Sequence, residues 1–389
     1  MKVMVTGGAG FIGTNLIKRL LKDGHKVVSI DNYSTGKKEN HQDGCRYYDY
    51  DLSSRHTHGI YVDHGTYPSW RDEEYDCIYH IAALARIQPS LERPLHHIKN
   101  NFLSTLNVLE FARKINVPVI YAGSSSKHHG LYGSPYAWSK FSGEELCKLY
   151  SSVYDVPTSI CRFYNVYGPH QLTEGEYCTV VGIFERQYKD GKTLTITSDG
   201  EQRRDFTHVD DIVDGLVKCG DALLGEGNSV IDGVEFELGR GVNHSINEVA
   251  SYFGSDYPTE YLPKRNGEYD RTLCEDKKAH KLLGWNPTIN LDDYIKDFVE
   301  TERFLTEYNL MHYYLLLKDD TEKDVYFDSN VLGEESFGTF YTGQGLVALN
   351  NIVNQKPELL ETIKILDDTK KSYTLTEFFD LLSKLKVIT

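Results

Sequence analysis

KVMVTGGAGFIGTNLIKRLLKDGHKVVSIDN, residues 2–32, reads as a short buried strand, a glycine turn, an amphipathic helix ending near Gly24 and a second strand ending at Asp31. Gly7, Gly10 and Gly13 stand three apart. That spacing permits a tight turn, close approach of backbone to a pyrophosphate, and close packing of helix on strand, with the helix N-terminus facing the anion. Asp31 follows Gly13 by 18 residues. A carboxylate at the end of the second strand accepts both ribose hydroxyls of an adenosine and repels the 2′-phosphate of NADP, so NAD is the expected cofactor. Lys37 and Lys38 are the residues that speak for the phosphorylated form.

The alternation continues. YDCIYHIAALA (75–85) is a strand running into small residues, NNFLSTLNVLEFARKINV (100–117) a helix and PVIYAGSSS (118–126) a strand. Short strands separated by helices predict an α/β doubly wound parallel sheet of the Rossmann type, with ligands at the carboxyl ends of its strands. Ser124 to Ser126 lie at such an end. Ten residues separate Ser125 from Tyr136, and Lys140 comes four residues on, an i, i+4 pair that shares one face if the segment after Pro135 is helical. Alone the pair is weak, because the chain holds 28 tyrosines.

A chain of 389 residues predicts two or three domains. Its net charge of −15 argues against a nucleic-acid partner, since a phosphate backbone needs a basic face. Seven scattered cysteines without a C-x-x-C argue against a disulfide framework and a zinc site, and point to a reducing compartment. No signal peptide fits MKVMVTGGAG and no apolar run spans a membrane, so a cytoplasmic protein is expected. His56, His58 and His64 lack carboxylates or thiols at ligand spacing, and no metal is expected.

The chain resembles the extended short-chain dehydrogenase/reductases, especially the NAD-dependent sugar-nucleotide epimerases and dehydratases of the UDP-glucose 4-epimerase type. The resemblance is carried in family order by TGGAGFIG, DNYSTG, the Asp-Leu at 51–52, HIAALA, the Asn-Asn at 100–101, SSS, YAWSK, RFYNVYGP (162–169) and RRDFTHVDDIVDG (203–215), over about residues 1 to 300. It implies that Gly7, Gly10, Phe11, Ile12, Gly13 and Asp31 hold NAD, with Asn32 and Ser34 in the ribose pocket and Asp51 and Leu52 about the adenine. Ala82, Ala83, Asn101, Ser124 and Phe163 would line the rest. Tyr136 and Lys140 match the catalytic pair and Ser126 the catalytic serine, with Ser125 as the alternative because the loop before Tyr136 is shorter than in relatives. Asn165, Arg204, Arg265, Glu268 and Thr272 match substrate positions, the two arginines holding a diphosphate. Arg203 and Arg271 are the neighbouring arginines that the resemblance passes over.

Dehydratase relatives place an Asp-Glu pair after the serine, where this chain has Lys127 and His128. His128 is a possible acid, although it and His129 also read as plain loop residues. A phenol with its ordinary pKa near ~10 must gain about 4 kcal/mol to titrate near neutrality, which a cation about 4 Å away at an effective dielectric of ~20 supplies; Lys140, aided by an oxidised nicotinamide, is the expected source. The implied function is a nucleotide-sugar epimerase, a UDP-hexose or UDP-N-acetylhexosamine 4-epimerase using a transient 4-keto sugar. The chemical alternative is a dehydratase or decarboxylase, and the alternative from another class is a non-catalytic NAD-sensing protein. A small residue at Thr272 is expected to admit 2-acetamido sugars, and a homodimer is expected.

The expected division is a Rossmann domain over 1–165, rejoined around 205–240, a smaller α/β substrate domain over 166–304, and a C-terminal α/β appendage over 305–389. In the appendage MHYYLLLKD (311–319) and the stretch 325–330 read as strands, 344–355 and 375–385 as helices, and the aromatic stretch 335–345 as a pocket or interface closure.

Overall fold

The computed structural model describes residues 1–54, 69–225, 230–265, 267, 269–307, 314–316, 364–366 and 372–374. The opening segment forms β1 (Lys2–Thr6), α1 (Phe11–Lys22) and β2 (Lys26–Asp31), followed by β3 (Cys45–Asp49), β4 (Cys77–His80), α2 (Ile87–Glu92), α3 (Pro94–Ile115), β5 (Val119–Ser124), α4 (Pro135–Tyr154) and β6 (Thr158–Phe163). Then come β7 (Val166–Tyr167), α5 (Val180–Lys189), β8 (Leu194–Thr197), β9 (Arg203–Asp205), β10 (Thr207–His208), α6 (Val209–Leu224) and β11 (Val234–Leu238). A seven-stranded sheet runs β11-β6-β5-β4-β1-β2-β3 with every pair parallel. The chain winds outward in both directions from β1, so the gap between β1 and β4 is the switch point at which such sheets take their ligands.

The two faces explain the unbroken apolar runs in the sequence. On β1, Val3 and Val5 pack with Leu16, Ile17 and Leu20 of α1 and Ile212 and Leu216 of α6. Met4 between them points the other way, to Val108 and Leu109 of α3 and Cys147 of α4. A strand covered on both faces needs apolar residues at every position.

Outside the sheet, β7 pairs with β10 and β9 with β12 (Asn243–Ser245), while β8 pairs with β13 (Thr259–Leu262). The helices α7 (Ile246–Ser251), α8 (Lys278–Leu283) and α9 (Leu291–Glu307) complete this part. Ser245 and Glu248 cap α7 reciprocally. Met1–Ile295 is one compact unit, and Lys296–Thr389 is a second. Within the second, β14 (Tyr314–Leu316), β15 (Lys364–Leu366) and β16 (Ser372–Thr374) form an antiparallel sheet. The segments read at 325–330, 335–345, 344–355 and 375–385, and His56, His58 and His64, lie outside the described residues. Among the described residues no helix is long and apolar enough to cross a membrane, and no cluster of metal-ligating side chains occurs.

Candidate active site

The glycine turn after β1 is packed too closely for side chains. Gly7 has φ +72°, and a Cβ there would lie 2.9 Å from the backbone of Ala82; a Cβ on Gly13 would lie 2.1 Å from the Gly7 carbonyl oxygen. At the end of β2, Asp31 is held by two backbone amides, Ala9 N–H donating to Oδ2 at 2.9 Å and Tyr33 N–H to Oδ1 at 2.8 Å. Burial raises its pKa and those two bonds act in the opposite direction. A carboxylate has about four acceptor positions, so ribose hydroxyls still find lone pairs.

A cavity of about 550 Å³ is lined by Gly7, Gly10, Phe11, Ile12 and Gly13 of the turn, and by Asp31, Asn32 and Ser34. Asp51 and Leu52, Ala82 and Ala83, Asn101, and Ser124 with Phe163 at the ends of β5 and β6 continue the same wall. Lys37 and Lys38 are not among its lining, and Lys38 lies 5.8 Å from the Tyr33 ring centre. These residues fit a dinucleotide with free ribose hydroxyls.

The catalytic wall is built by α4. Ser134 caps it by accepting from Ala137 N–H, and Pro135 supplies a preset first turn. Tyr136 therefore lies in the first turn and Lys140 one turn later. Tyr136 Oη lies 3.4 Å from Ser124 Oγ, while Ser126 donates to that same Oγ at 2.9 Å. The hydroxyl beside the phenol is thus that of Ser124, with Ser126 one bond further on and Ser125 also on the cavity wall. The reason is local: β5 ends at Ser124, whose side chain caps the following 3-10 turn.

Lys140 is buried with Nζ 4.4 Å from the Tyr121 ring centre. Burial pushes its pKa down to about 8, against the opposing charge of Glu144. Burial raises the Tyr136 phenol, offset by its hydrogen bond with Ser124 and by the charge of Arg86. Arg86, a residue that sequence reasoning missed, also bears on the phenol, its charge acting to lower the Tyr136 pKa.

On the opposite wall Asn165, Arg204, Arg265 and Thr272 line the cavity. Asn165 Nδ2 donates to the Asp205 carbonyl at 2.9 Å and to Thr272 Oγ1 at 3.2 Å, and Asp205 N–H donates to the same Oγ1 at 3.0 Å. Thr272 thus fixes Asn165. Arg203 turns away to Glu248 at 2.9 Å and to Asn243, and Arg271 is not among the lining. Glu268 lies outside the described residues. The structure adds His129, whose ring lies 4.7 Å from that of Tyr269, both on the cavity wall.

The neighbouring His128 has a different task. Its Nε2 bonds Glu237 of β11 at 2.8 Å, and Glu237 also accepts from Arg162 Nη1 at 2.7 Å. Arg162 of β6 further binds Glu144 of α4 at 2.8 Å and Glu235 at 2.9 Å. This network ties the shortened loop, β6, β11 and the helix carrying Tyr136 together. Arg162→Met is expected to lower stability by about 3–5 kcal/mol, because Glu144 is fully buried and would lose its three short guanidinium bonds, keeping the Lys127 ammonium at 3.7 Å; denaturant unfolding measures it. Glu235 and Glu237 are both held below the ordinary carboxylate pKa, Glu235 at about 2 despite burial, by their cationic partners. Their contribution is present above the unfolded carboxylate value near ~4.5 and is lost as pH falls through their folded pKa values.

Residues 3–226 match the model of the NAD dependent epimerase/dehydratase family. The UDP-glucose 4-epimerase of Mycolicibacterium smegmatis is 32% identical over 323 residues, 77% of this chain and 98% of that protein. UDP-glucuronic acid decarboxylase 1 of Xenopus tropicalis is 28% identical over 341 residues, 81% of this chain and 75% of that protein. Among solved structures, UDP-glucuronic acid 4-epimerase from Bacillus cereus, in complex with UDP-glucuronic acid and NAD, superposes with a TM-score of 0.67 at 28% identity, covering 78% of this chain and 100% of the other.

Proposed function

The chain belongs to the NAD dependent epimerase/dehydratase family, and from that premise we propose that it is a UDP-hexose or UDP-N-acetylhexosamine 4-epimerase working through a transient 4-keto sugar. The observation that carries this reading is that Tyr136 and Lys140 open onto the same cavity as the glycine turn on one side and Arg204 and Arg265 on the other. NAD, when bound, supplies a hydride acceptor and donor. The side chains do the rest. Arg204 and Arg265 offer cations to a diphosphate, Asn165 is fixed at the sugar end, and Tyr136 takes the proton from a sugar hydroxyl and returns it, with Ser124 as its hydrogen-bonding neighbour and Ser126 bonded to Ser124 in turn. Lys140 contributes positive charge from behind.

Two observations weigh epimerisation against dehydration. The positions that would carry an acid pair are Lys127 and His128, and His128 is engaged by Glu237. Decarboxylation is the remaining chemical alternative; a pure sensor of NAD is disfavoured because both Tyr136 and Lys140 are in place. The reading includes the homodimer, which sedimentation of the purified protein tests. The test of function is incubation with UDP-, GDP- and dTDP-sugars followed by separation of products. The 4-epimer of a UDP-sugar is expected, whereas a 4-keto-6-deoxy sugar or a pentose would favour the alternatives, and no product from any of them would overturn the proposal.

A further inference from the structure

Arg86 is part of the cavity wall in a conformation that its own backbone does not favour. It has φ +78°, the left-handed region that a residue with a Cβ enters only at a cost of about 1–3 kcal/mol. Its neighbours hold it there. Asn101 accepts from Leu84 N–H at 2.8 Å, donates to the Leu84 carbonyl at 3.0 Å, and donates to Ser139 Oγ at 3.0 Å, next to Lys140. On the other side, Tyr136 N–H donates to Ser90 Oγ at 3.2 Å. The segment from Leu84 to Ser90 is therefore held at one end by Asn101 of α3, which in turn bonds Ser139 of α4, and at the other directly by the Tyr136 amide.

What these contacts present is a cation without a carboxylate. Arg86 Nε donates to the Tyr177 carbonyl at 3.1 Å, and no ion pair joins it to an Asp or Glu among the described residues. The ionisable groups whose charge it feels are Tyr136 and Cys178, both neutral in their resting forms. Glu176, close by on the same wall, is paired with Arg93. By contrast, Arg162 and Arg203 both have carboxylate partners. A guanidinium partly buried without an anion is costly unless a ligand provides one. Arg204 and Arg265 already stand on the opposite wall to receive a diphosphate. Arg86 instead lines the cavity together with Tyr136, the phenol that addresses the sugar, so its anion belongs on the sugar itself.

We propose that Arg86 is the specificity residue of the sugar subsite and that the preferred substrate is a nucleotide sugar bearing a carboxylate, a UDP-hexuronate, bound through a guanidinium–carboxylate pair. This rests on the epimerase reading, keeping its reaction but putting an acidic sugar ahead of the neutral ones named there. The planar guanidinium suits a carboxylate, forming two parallel charge-assisted bonds that a neutral hydroxymethyl group lacks.

The experiment measures kcat/KM and calorimetric Kd for UDP-glucuronate, UDP-glucose, UDP-N-acetylglucosamine and UDP alone, in the native protein and in Arg86→Gln and Arg86→Lys, with NAD content determined for each. In the native protein the hexuronate is expected to lead the neutral sugars by at least about tenfold in kcat/KM. Arg86→Gln should collapse that ratio, chiefly through KM of the acidic sugar, and Arg86→Lys should restore part of it. A native enzyme that uses neutral sugars as well as the hexuronate overturns the proposal even if no variant folds. So does an Arg86→Gln protein that slows all sugars equally with a displaced pH profile, which would assign Arg86 to Tyr136, or one that loses NAD, which would assign it to the cofactor. Binding of UDP and turnover of UDP-glucose alone would leave the epimerase reading standing while removing this one; failure to bind even UDP would remove both.

Discussion

Tyr136→Phe is expected to fold and retain NAD like the native protein while losing turnover by about a hundredfold to ten-thousandfold, the range that a positioned proton-transfer group contributes. The substitution removes one oxygen. Its hydrogen-bonding neighbour in the structure is Ser124 Oγ at a long 3.4 Å, so little folding stability goes with it. The ring remains to pack, and the helix cap at Ser134 and the Ser90 bond to the Tyr136 amide do not involve the phenol. Melting temperature and released NAD serve as the controls, and kcat as the readout. Near-native turnover would make the pair at 136 and 140 a helix start and no more.

Gly13→Ala is expected to weaken NAD retention by about tenfold to a hundredfold, since the clash is with backbone and overpacking of this kind costs roughly 1–3 kcal/mol. The added Cβ would sit 2.1 Å from the Gly7 carbonyl oxygen and 2.7 Å from Gly8 Cα. Neither can swing aside as a side chain would, so the turn must open where the pyrophosphate is to be cradled. Gly24→Ala is the matched control. That glycine has φ +81° but no atom within 4 Å of where the new methyl would stand, so it should lose stability by about 1 kcal/mol through backbone strain and leave NAD retention alone. Equal loss of NAD in both variants would show that the glycine spacing has no special relation to the cofactor.

The parts of this molecule that sequence reveals are those governed by local rules. The opening strand, turn, helix and strand follow from apolar period and glycine spacing, and the second strand ends at Asp31 in the structure too. The helix that reads from Asn100 in the sequence begins instead at Pro94, where proline occupies the first turn and its missing amide costs nothing. Ser124 takes the place of Ser126 beside the phenol because the last hydrogen-bonded pair of a strand, which decides where a serine points, depends on the neighbouring strand. Arg86 is invisible for a related reason. In ALARIQ it is one arginine among many, and its positive φ, its clamps through Asn101 and Ser90, and its lack of a carboxylate are all properties of contacts far along the chain. His129 likewise meets Tyr269, 140 residues later, on the cavity wall, a contact that no local pattern announces.

The central claim is inversion at one sugar carbon by a proton-transfer pair acting beside a retained cofactor. It is tested most directly by proton NMR of a UDP-glucose or UDP-glucuronate reaction in deuterium oxide with catalytic amounts of enzyme. The account predicts a mixture of the two C4 epimers in which C4 still carries the substrate's own hydrogen, C5 carries no deuterium, and the nucleotide sugar keeps all its carbons. Deuterium at C5 accompanied by loss of water or carbon dioxide, or deuterium at the inverted C4, would contradict it.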